Sequence, residues 1–151
     1  MSIEKPIVGF TAGVFDLFHV GHLNLLENSR ERCDFLRVGV ISDEICAVLK
    51  KKNPIIPLEE RIRIVRALRC VDDVVAIREE LLLSKVESYY EWPVDVVFSG
   101  SDHADDLYWA KESERLRVLG ARIEFLPYTE SVSSSMLRQN MGLDGTVASR
   151  T

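Results

Sequence analysis

Gly13-Val14-Phe15-Asp16-Leu17-Phe18-His19-Val20-Gly21-His22 decides how the rest of this 151-residue chain is read. On its amino-terminal side, Ile7-Val8-Gly9-Phe10-Thr11-Ala12 is a short apolar run without helical periodicity, ending at a glycine suited to a tight turn, and it predicts a buried strand. From Val20 onward, apolar Leu23, Leu25 and Leu26 interleave with polar Asn24, Glu27, Asn28, Arg30 and Glu31, which predicts an amphipathic helix starting at the second histidine. A strand, a glycine turn and a helix start bring free backbone N–H groups and the positive end of the helix dipole to one place, a physical solution for holding phosphate. His19 and His22, spaced i and i+3 around Gly21, add two side-chain donors, and the glycine lets a ligand approach the backbone closely. The same pair also admits a plainer reading, as capping and packing residues or a metal-binding couple.

Working outward, Phe35–Ile41 is β-branched and apolar, as expected of a strand covered on both faces. Ser42 offers an N-cap, with Asp43 and Glu44 in the first turn of a short helix through about Leu49. Pro54 and Pro57 stop any helix, which leaves Lys50, Lys51 and Lys52 on a loop or at a fraying helix end. A third helix is predicted from Leu58 to Arg69, with Leu58, Ile62, Ile64, Val65 and Leu68 facing inward and Glu59, Glu60, Arg61, Arg63 and Arg66 forming the polar face. Then follow a strand at Val74–Ile77, a helix from Glu79 to Tyr90 closed by Trp92-Pro93, and a strand at Val94–Phe98 running into Ser99-Gly100-Ser101-Asp102-His103. A helix over Leu107–Leu119 ends at Gly120, and Arg122–Leu126 is the fifth strand. Ser133, Ser134 and Ser135 precede an apolar helical turn, where they act either as plain caps or as a second anion-binding helix start.

Five strands alternating with helices predict an α/β domain with one doubly wound, five-stranded parallel sheet, spanning residues 1–141. The small, polar stretch 142–151 is expected to be a disordered tail. A net charge of -5 argues against a general nucleic-acid binder, so any anion site has to be local. The three cysteines form no Cys-x-x-Cys pair and are expected to pack as small apolar residues in a reducing cytoplasm. No segment approaches the roughly 20 apolar residues of a membrane span, and the start lacks a secretory pattern.

The Gly-Val-Phe-Asp-Leu-Phe-His-Val-Gly-His run resembles the nucleotidyltransferase superfamily that carries a His-x-Gly-His signature, and within it the small cytidylyltransferases acting on glycerol 3-phosphate and on choline or ethanolamine phosphate. A second match, far along the chain, is Glu60-Arg61 followed by Arg69-Cys70-Val71-Asp72-Asp73-Val74, similar to the family's Glu-Arg and Arg-x-Val-Asp-x-Val elements. The resemblance implies a Rossmann-like nucleotidyltransferase fold and the transfer of a nucleotidyl group to a phosphorylated acceptor. It implies roles for His19 and His22 at the transition-state phosphate, and for Lys50 and Lys52, at the family's Lys-x-Lys pair, on the nucleotide phosphates.

By the same resemblance, Ala12, Gly13, Val14, Phe15, Asp16 and Gly21 belong to the phosphate turn, with Asp16 orienting the others. Arg69 supports the site, and Asp72 either does so or forms a strand-entry turn. Asp102 helps recognise base and sugar, and Thr129, Ser133 and Ser134 stand in the segment that grips the outer phosphates. Three positions depart from the pattern. Ser101 replaces an acidic residue, Ser131 a glycine and Tyr128 a phosphate-binding arginine, a loss that Arg138, one turn into the helix, partly compensates.

The implied substrates are CTP, with ATP as the alternative, and a small phosphorylated alcohol, glycerol 3-phosphate first. An adenylyltransferase using ATP with a phosphorylated sugar or FMN is the enzymatic rival, and a non-catalytic nucleotide-binding module the rival of another class. Mg²⁺ is expected to arrive on the triphosphate, with no metal site built from protein ligands. A cytoplasmic homodimer without membrane or nucleic-acid partners completes the expectation.

Overall fold

The computed structural model describes residues 5–101, 107–127 and 134–142. Among them the chain forms β1 (Val8–Gly13), α1 (Val20–Arg30), β2 (Phe35–Ile41), α2 (Asp43–Lys50), α3 (Leu58–Arg66), β3 (Asp73–Ile77), α4 (Lys85–Glu91), β4 (Val96–Gly100), α5 (Leu107–Val118), β5 (Arg122–Leu126) and α6 (Ser134–Asn140). The strands make one five-stranded sheet in the order β3-β2-β1-β4-β5, parallel at every pairing. Strand order reverses between β1 and β4, and the carboxyl edge at such a switch point is where open parallel sheets leave a crevice for ligands.

Helices cover both faces. Leu26 of α1 and Leu58 and Val65 of α3 pack with Leu36, Val38, Val40 and Phe98 on one side. Ile45 of α2, Val86 of α4 and Leu116 of α5 pack with Phe10, Ile77 and Val97 on the other. Residues 143–151, most of the expected tail, lie outside the described residues. No helix among the described residues is long and apolar enough to cross a membrane. Cys33 and Cys46 are buried thiols and Cys70 a half-buried one, none in a disulfide among the described residues, in line with their reading as small apolar packing residues.

Two elements differ from the sequence expectation for local reasons. The helix expected over 79–90 is broken: Glu80–Leu83 is a 3₁₀ turn, and Ser84, extended at ψ 133, restarts the chain as the N-cap of α4. A serine hydroxyl competes for backbone N–H groups and so favours a cap over a helix interior. Strand four begins at Val96, two residues later than expected, because Asp95 reaches β1 differently. Its carboxylate accepts the Val8 N–H at 2.8 Å, while its own N–H donates to the Val8 carbonyl at 2.8 Å.

β1 carries a tight packing constraint. A Cβ added at Gly9 lies 2.6 Å from Phe98 Cε2 and 2.9 Å from Cys33 Sγ, both in buried side chains. Gly9→Ala is therefore expected to destabilise the domain by about 1–3 kcal/mol through overpacking. Chemical denaturation reads this as a lower midpoint with an unchanged slope, and an unchanged midpoint would show that the β1–β4 layer yields freely.

Candidate active site

The turn after β1 is bent hard. Phe15 (φ 55) and Leu17 (φ 50) both occupy the left-handed region, which side chains with a Cβ rarely adopt without compensation. The compensation is Asp16, 3% exposed between them. Its carboxylate accepts the backbone N–H groups of Ile55 (2.8 Å) and Ile56 (2.9 Å) and pairs with the Arg138 guanidinium, while its carbonyl accepts the Ser134 hydroxyl at 2.6 Å. One residue thus ties the phosphate turn to the lysine-proline loop and to α6.

Arg61 is the second organiser. Its side chain is fully buried. Nε donates to the Ile56 carbonyl (2.8 Å), Nη1 to the carbonyls of Val14 (2.7 Å) and Ile41 (2.8 Å), and Nη2 to Asp43 Oδ1 (2.5 Å). Sequence periodicity put Arg61 on the solvated face of its helix. The structure turns it inward, because four acceptors from the turn, β2, α2 and the proline loop converge there and only a planar fork can meet them together.

At the start of α1, His19 is the N-cap and His22 the third helical residue. The Gly21 N–H donates to His19 Nδ1 at 3.0 Å, and the His19 N–H donates to His22 Nδ1 at 3.2 Å, a reciprocal capping box built from imidazoles. An Nδ1 that accepts a hydrogen bond carries no proton, so each neutral ring presents Nε2–H as a donor. The rings stack with centroids 3.8 Å apart. His19 Nε2 is buried without a hydrogen-bond partner among the described residues, a donor held ready for an acceptor from outside.

Both imidazoles resist protonation. Burial lowers the His19 pKa, and burial followed by repulsion from His19 pushes His22 down to about 4 despite the opposing pull of Asp16. The unfolded chain therefore takes up the proton first as the pH falls from 6.5, and stability tied to neutral His22 is complete above 6.5 and lost towards about 4. Imidazole NMR shifts of His22 are expected to hold their neutral values from about pH 8 to about pH 5. A titration midpoint near the ordinary 6.5 would contradict this environment.

A cavity of about 350 Å³ opens at the carboxyl end of β1. Of the residues expected from sequence, Ala12, Gly13, Val14, Phe15, Asp16, His22, Lys52 and Ser134 line it. His19 and Gly21 adjoin it through the α1 cap. Ser135, named with Ser133 and Ser134 as a cap or anion-binding helix start, lines it as well; Leu25, Cys46 and Pro54 also line it and were not singled out as site residues, their only signal being membership of elements that converge here. Arg138 lines it too, paired with Asp16.

Lys50 ends α2, with its side chain outside the described residues, as are Asp102, Thr129 and Ser133, and also Tyr128 and Ser131. The structure does not bring Arg69 to the cavity. It is exposed on the segment leading into β3, and parallel strands put that segment at the opposite, amino edge of the sheet. Its neighbour Asp72 is a strand-entry clasp, accepting the Leu36 N–H at 2.8 Å and pairing with Arg30 at 2.9 Å.

Residues 10–140 match the family model described as cytidylyltransferase-like. The chain is 41% identical over 130 residues to the FAD synthase of Pyrococcus abyssi, covering 85% of both chains. It is 33% identical over 137 residues to the ethanolamine-phosphate cytidylyltransferase of Arabidopsis thaliana, covering 87% of this chain and 31% of that one. With the bifunctional protein HldE of Gluconacetobacter diazotrophicus it shares 41% identity over 100 residues, 66% of this chain, and spans 20% of that protein's length. Among solved structures, the lipopolysaccharide core biosynthesis protein from Thermoplasma volcanium superposes with a TM-score of 0.68 at 25% identity, covering 85% of this chain and all of that one.

Proposed function

Because this chain belongs to the cytidylyltransferase-like family, we propose that it transfers a nucleotidyl group from a nucleoside triphosphate to a small phosphorylated acceptor and releases pyrophosphate. The observation that carries the reading is the pair of neutral imidazoles on the α1 cap, one with a buried Nε2 that has no hydrogen-bond partner among the described residues, set beside a cavity lined by Lys52 and Arg138. An acceptor phosphate oxygen attacks the α-phosphorus, the bond to the β-phosphate oxygen breaks, and pyrophosphate carries away the electron pair. The acceptor already bears the attacking charge, so no covalent nucleophile or general base is required.

The work left to the protein is alignment and charge stabilisation by fixed donors. In this reading His19 and His22 donate to the α-phosphate, and Lys50, Lys52 and Arg138 meet the phosphate chain. Thr129, Ser133 and Ser134 serve the leaving pyrophosphate, Asp102 the base and sugar, and Asp16 and Arg61 hold the cradle.

Among the described residues no three metal-ligating side chains cluster. Both Asp16 carboxylate oxygens are engaged by Ile55, Ile56 and Arg138. This donor set fits a Mg²⁺ that arrives on the triphosphate, where it supplies charge neutralisation across the phosphate oxygens. The homodimer and the cytoplasmic location implied by the sequence resemblance are part of the same proposal.

CTP with glycerol 3-phosphate is the first substrate pair, its nucleotide supported by the family model and by the ethanolamine-phosphate cytidylyltransferase relative, its acceptor by the sequence resemblance alone. ATP with FMN is the second, favoured by the likeness to FAD synthase over most of both chains. Pyrophosphate release from four nucleoside triphosphates against a panel of phosphorylated acceptors tests the proposal. Turnover with one pair supports it and chooses the nucleotide, whereas nucleotide binding without release above blank would mark a non-catalytic binding module.

A further inference from the structure

His22 is held by more than its cap. Its Nδ1 accepts the His19 N–H, but one bond to one ring atom does not fix the plane of the imidazole. Three neighbouring rings do. His19 stacks on it with centroids 3.8 Å apart, Phe15 meets it edge-on at 5.4 Å, and Phe18 lies against it at 5.1 Å, tilted by 35°. Phe15 is 4% exposed and belongs to the core. Phe18 is half-buried, packs against that core 6.3 Å from Phe15, and is not among the residues that line the cavity.

The place of Phe18 follows from the bend of the turn. Leu17, left-handed at φ 50, redirects the chain just before it, and His19, extended at φ -140 and ψ 178, opens the helix just after it. Phe18 thus precedes the N-cap, a position whose apolar side chain commonly packs onto the first turn of the helix and fixes the angle of entry. Here that side chain packs onto the third helical residue, which is the imidazole of His22.

The titratable and charged groups around this ring are His19 on the same cap, Asp16 in the turn, Arg138 of α6 paired with Asp16, and Lys52, which lines the same cavity. His19 opposes a proton on His22 and Asp16 favours one, but burial has the largest influence. A proton on Nδ1 also displaces the His19 N–H, because a protonated ring nitrogen has no lone pair to offer. Whatever keeps water from this imidazole therefore governs its charge and its orientation together.

We propose that Phe18 is a positioning residue for His22, closing the enclosure of rings that fixes the imidazole plane and excludes water, so that Nε2–H meets the α-phosphate in one orientation. The inference rests on the transferase reading above and deepens it. Phe18 acts through His22 and touches no substrate.

The test is a series, Phe18→Leu, Phe18→Val and Phe18→Ala, that uncovers the imidazole step by step. Two quantities are read on the full chain: the His22 titration midpoint by NMR without substrates, and steady-state pyrophosphate release at pH 8 with the substrate pair that the wild type turns over. Phe18→Ala is expected to raise the midpoint from about 4 to between about 5 and 6 as water reaches the ring. It is expected to lower kcat about tenfold or more, with both KM values within about twofold. Phe18→Leu keeps an apolar cover and is expected to retain a midpoint below about 5 and most of kcat, with Phe18→Val between the two. Gly9→Ala, which strains the same core away from the imidazoles, is the comparator for lost stability and is expected to leave the His22 midpoint unchanged.

A midpoint that stays near 4 in Phe18→Ala, a raised midpoint with wild-type kcat, or the same kcat loss in Gly9→Ala would overturn the positioning role and leave the transferase standing. Where Phe18→Ala does not fold, the step from Phe18→Leu to Phe18→Val decides in the same way. Absence of release by the wild type with every pair overturns the transferase reading instead, and the midpoints then decide by themselves whether Phe18 governs the ring.

Discussion

His19→Ala is expected to lower kcat for pyrophosphate release by about 10²–10³-fold, the usual cost of removing one preorganised donor from a site where charge develops. The size of the effect follows from the geometry. His19 Nδ1 is committed to the Gly21 N–H, so the ring orientation is set before any ligand arrives, and Nε2 is buried without another partner among the described residues. The same substitution removes a helix cap, which costs about 1 kcal/mol and lowers the melting temperature by roughly 2–4 °C in a domain of this size. The two losses separate in a second variant. Asparagine caps a helix well but offers no donor at the Nε2 position, so His19→Asn is expected to regain most of the lost melting temperature while kcat stays low. Near-wild-type turnover of His19→Ala would remove the imidazole from the mechanism.

Arg61→Met is expected to give the largest loss of stability, about 3–5 kcal/mol, as for breaking a buried ion pair from one side. The methionine fills similar space, but the carbonyls of Val14, Ile41 and Ile56 lose their donors and Asp43 loses its partner. The Asp43 side chain is 35% exposed and recovers some hydration, which places the result towards the lower end. At roughly 2–4 °C per kcal/mol the melting temperature falls by about 10 °C. A lysine in place of the arginine supplies a point charge that cannot fork, so Arg61→Lys is expected to fall between wild type and Arg61→Met. Thermal and urea unfolding read this directly, and a wild-type midpoint for Arg61→Met would mean that the three carbonyls find other donors.

Much of this architecture was legible beforehand because its causes are local. Apolar runs such as Phe35–Ile41, punctuated by turns and amphipathic helices, dictate alternating strands and helices whatever lies around them. The histidine turn was legible for the same reason: a strand, a glycine and a helix start are contiguous in the chain, and His19 and His22 contact each other within one helical turn. The break at Ser84 was obscured by the helix-forming leucines and glutamates around it, since composition outweighs one serine in any windowed reading. Its cap became visible only with the Glu87 N–H and Glu112 in place.

By itself, then, the sequence determined the alternation of strands and helices and the place of two imidazoles at a helix start, because each depends on neighbours within a few positions. Only the tertiary structure decided which arginines matter and where. Arg61, Arg69 and Arg138 are alike in one dimension, three cations on or near amphipathic helices. The packed sheet buries the first among four acceptors, three of them 18 to 47 positions away, leaves the second exposed at the amino edge, and brings the third across 122 positions to Asp16 beside the cavity. A helical pattern tells which face a residue is on, but a cation's task is set by the acceptors that long-range packing places in front of it.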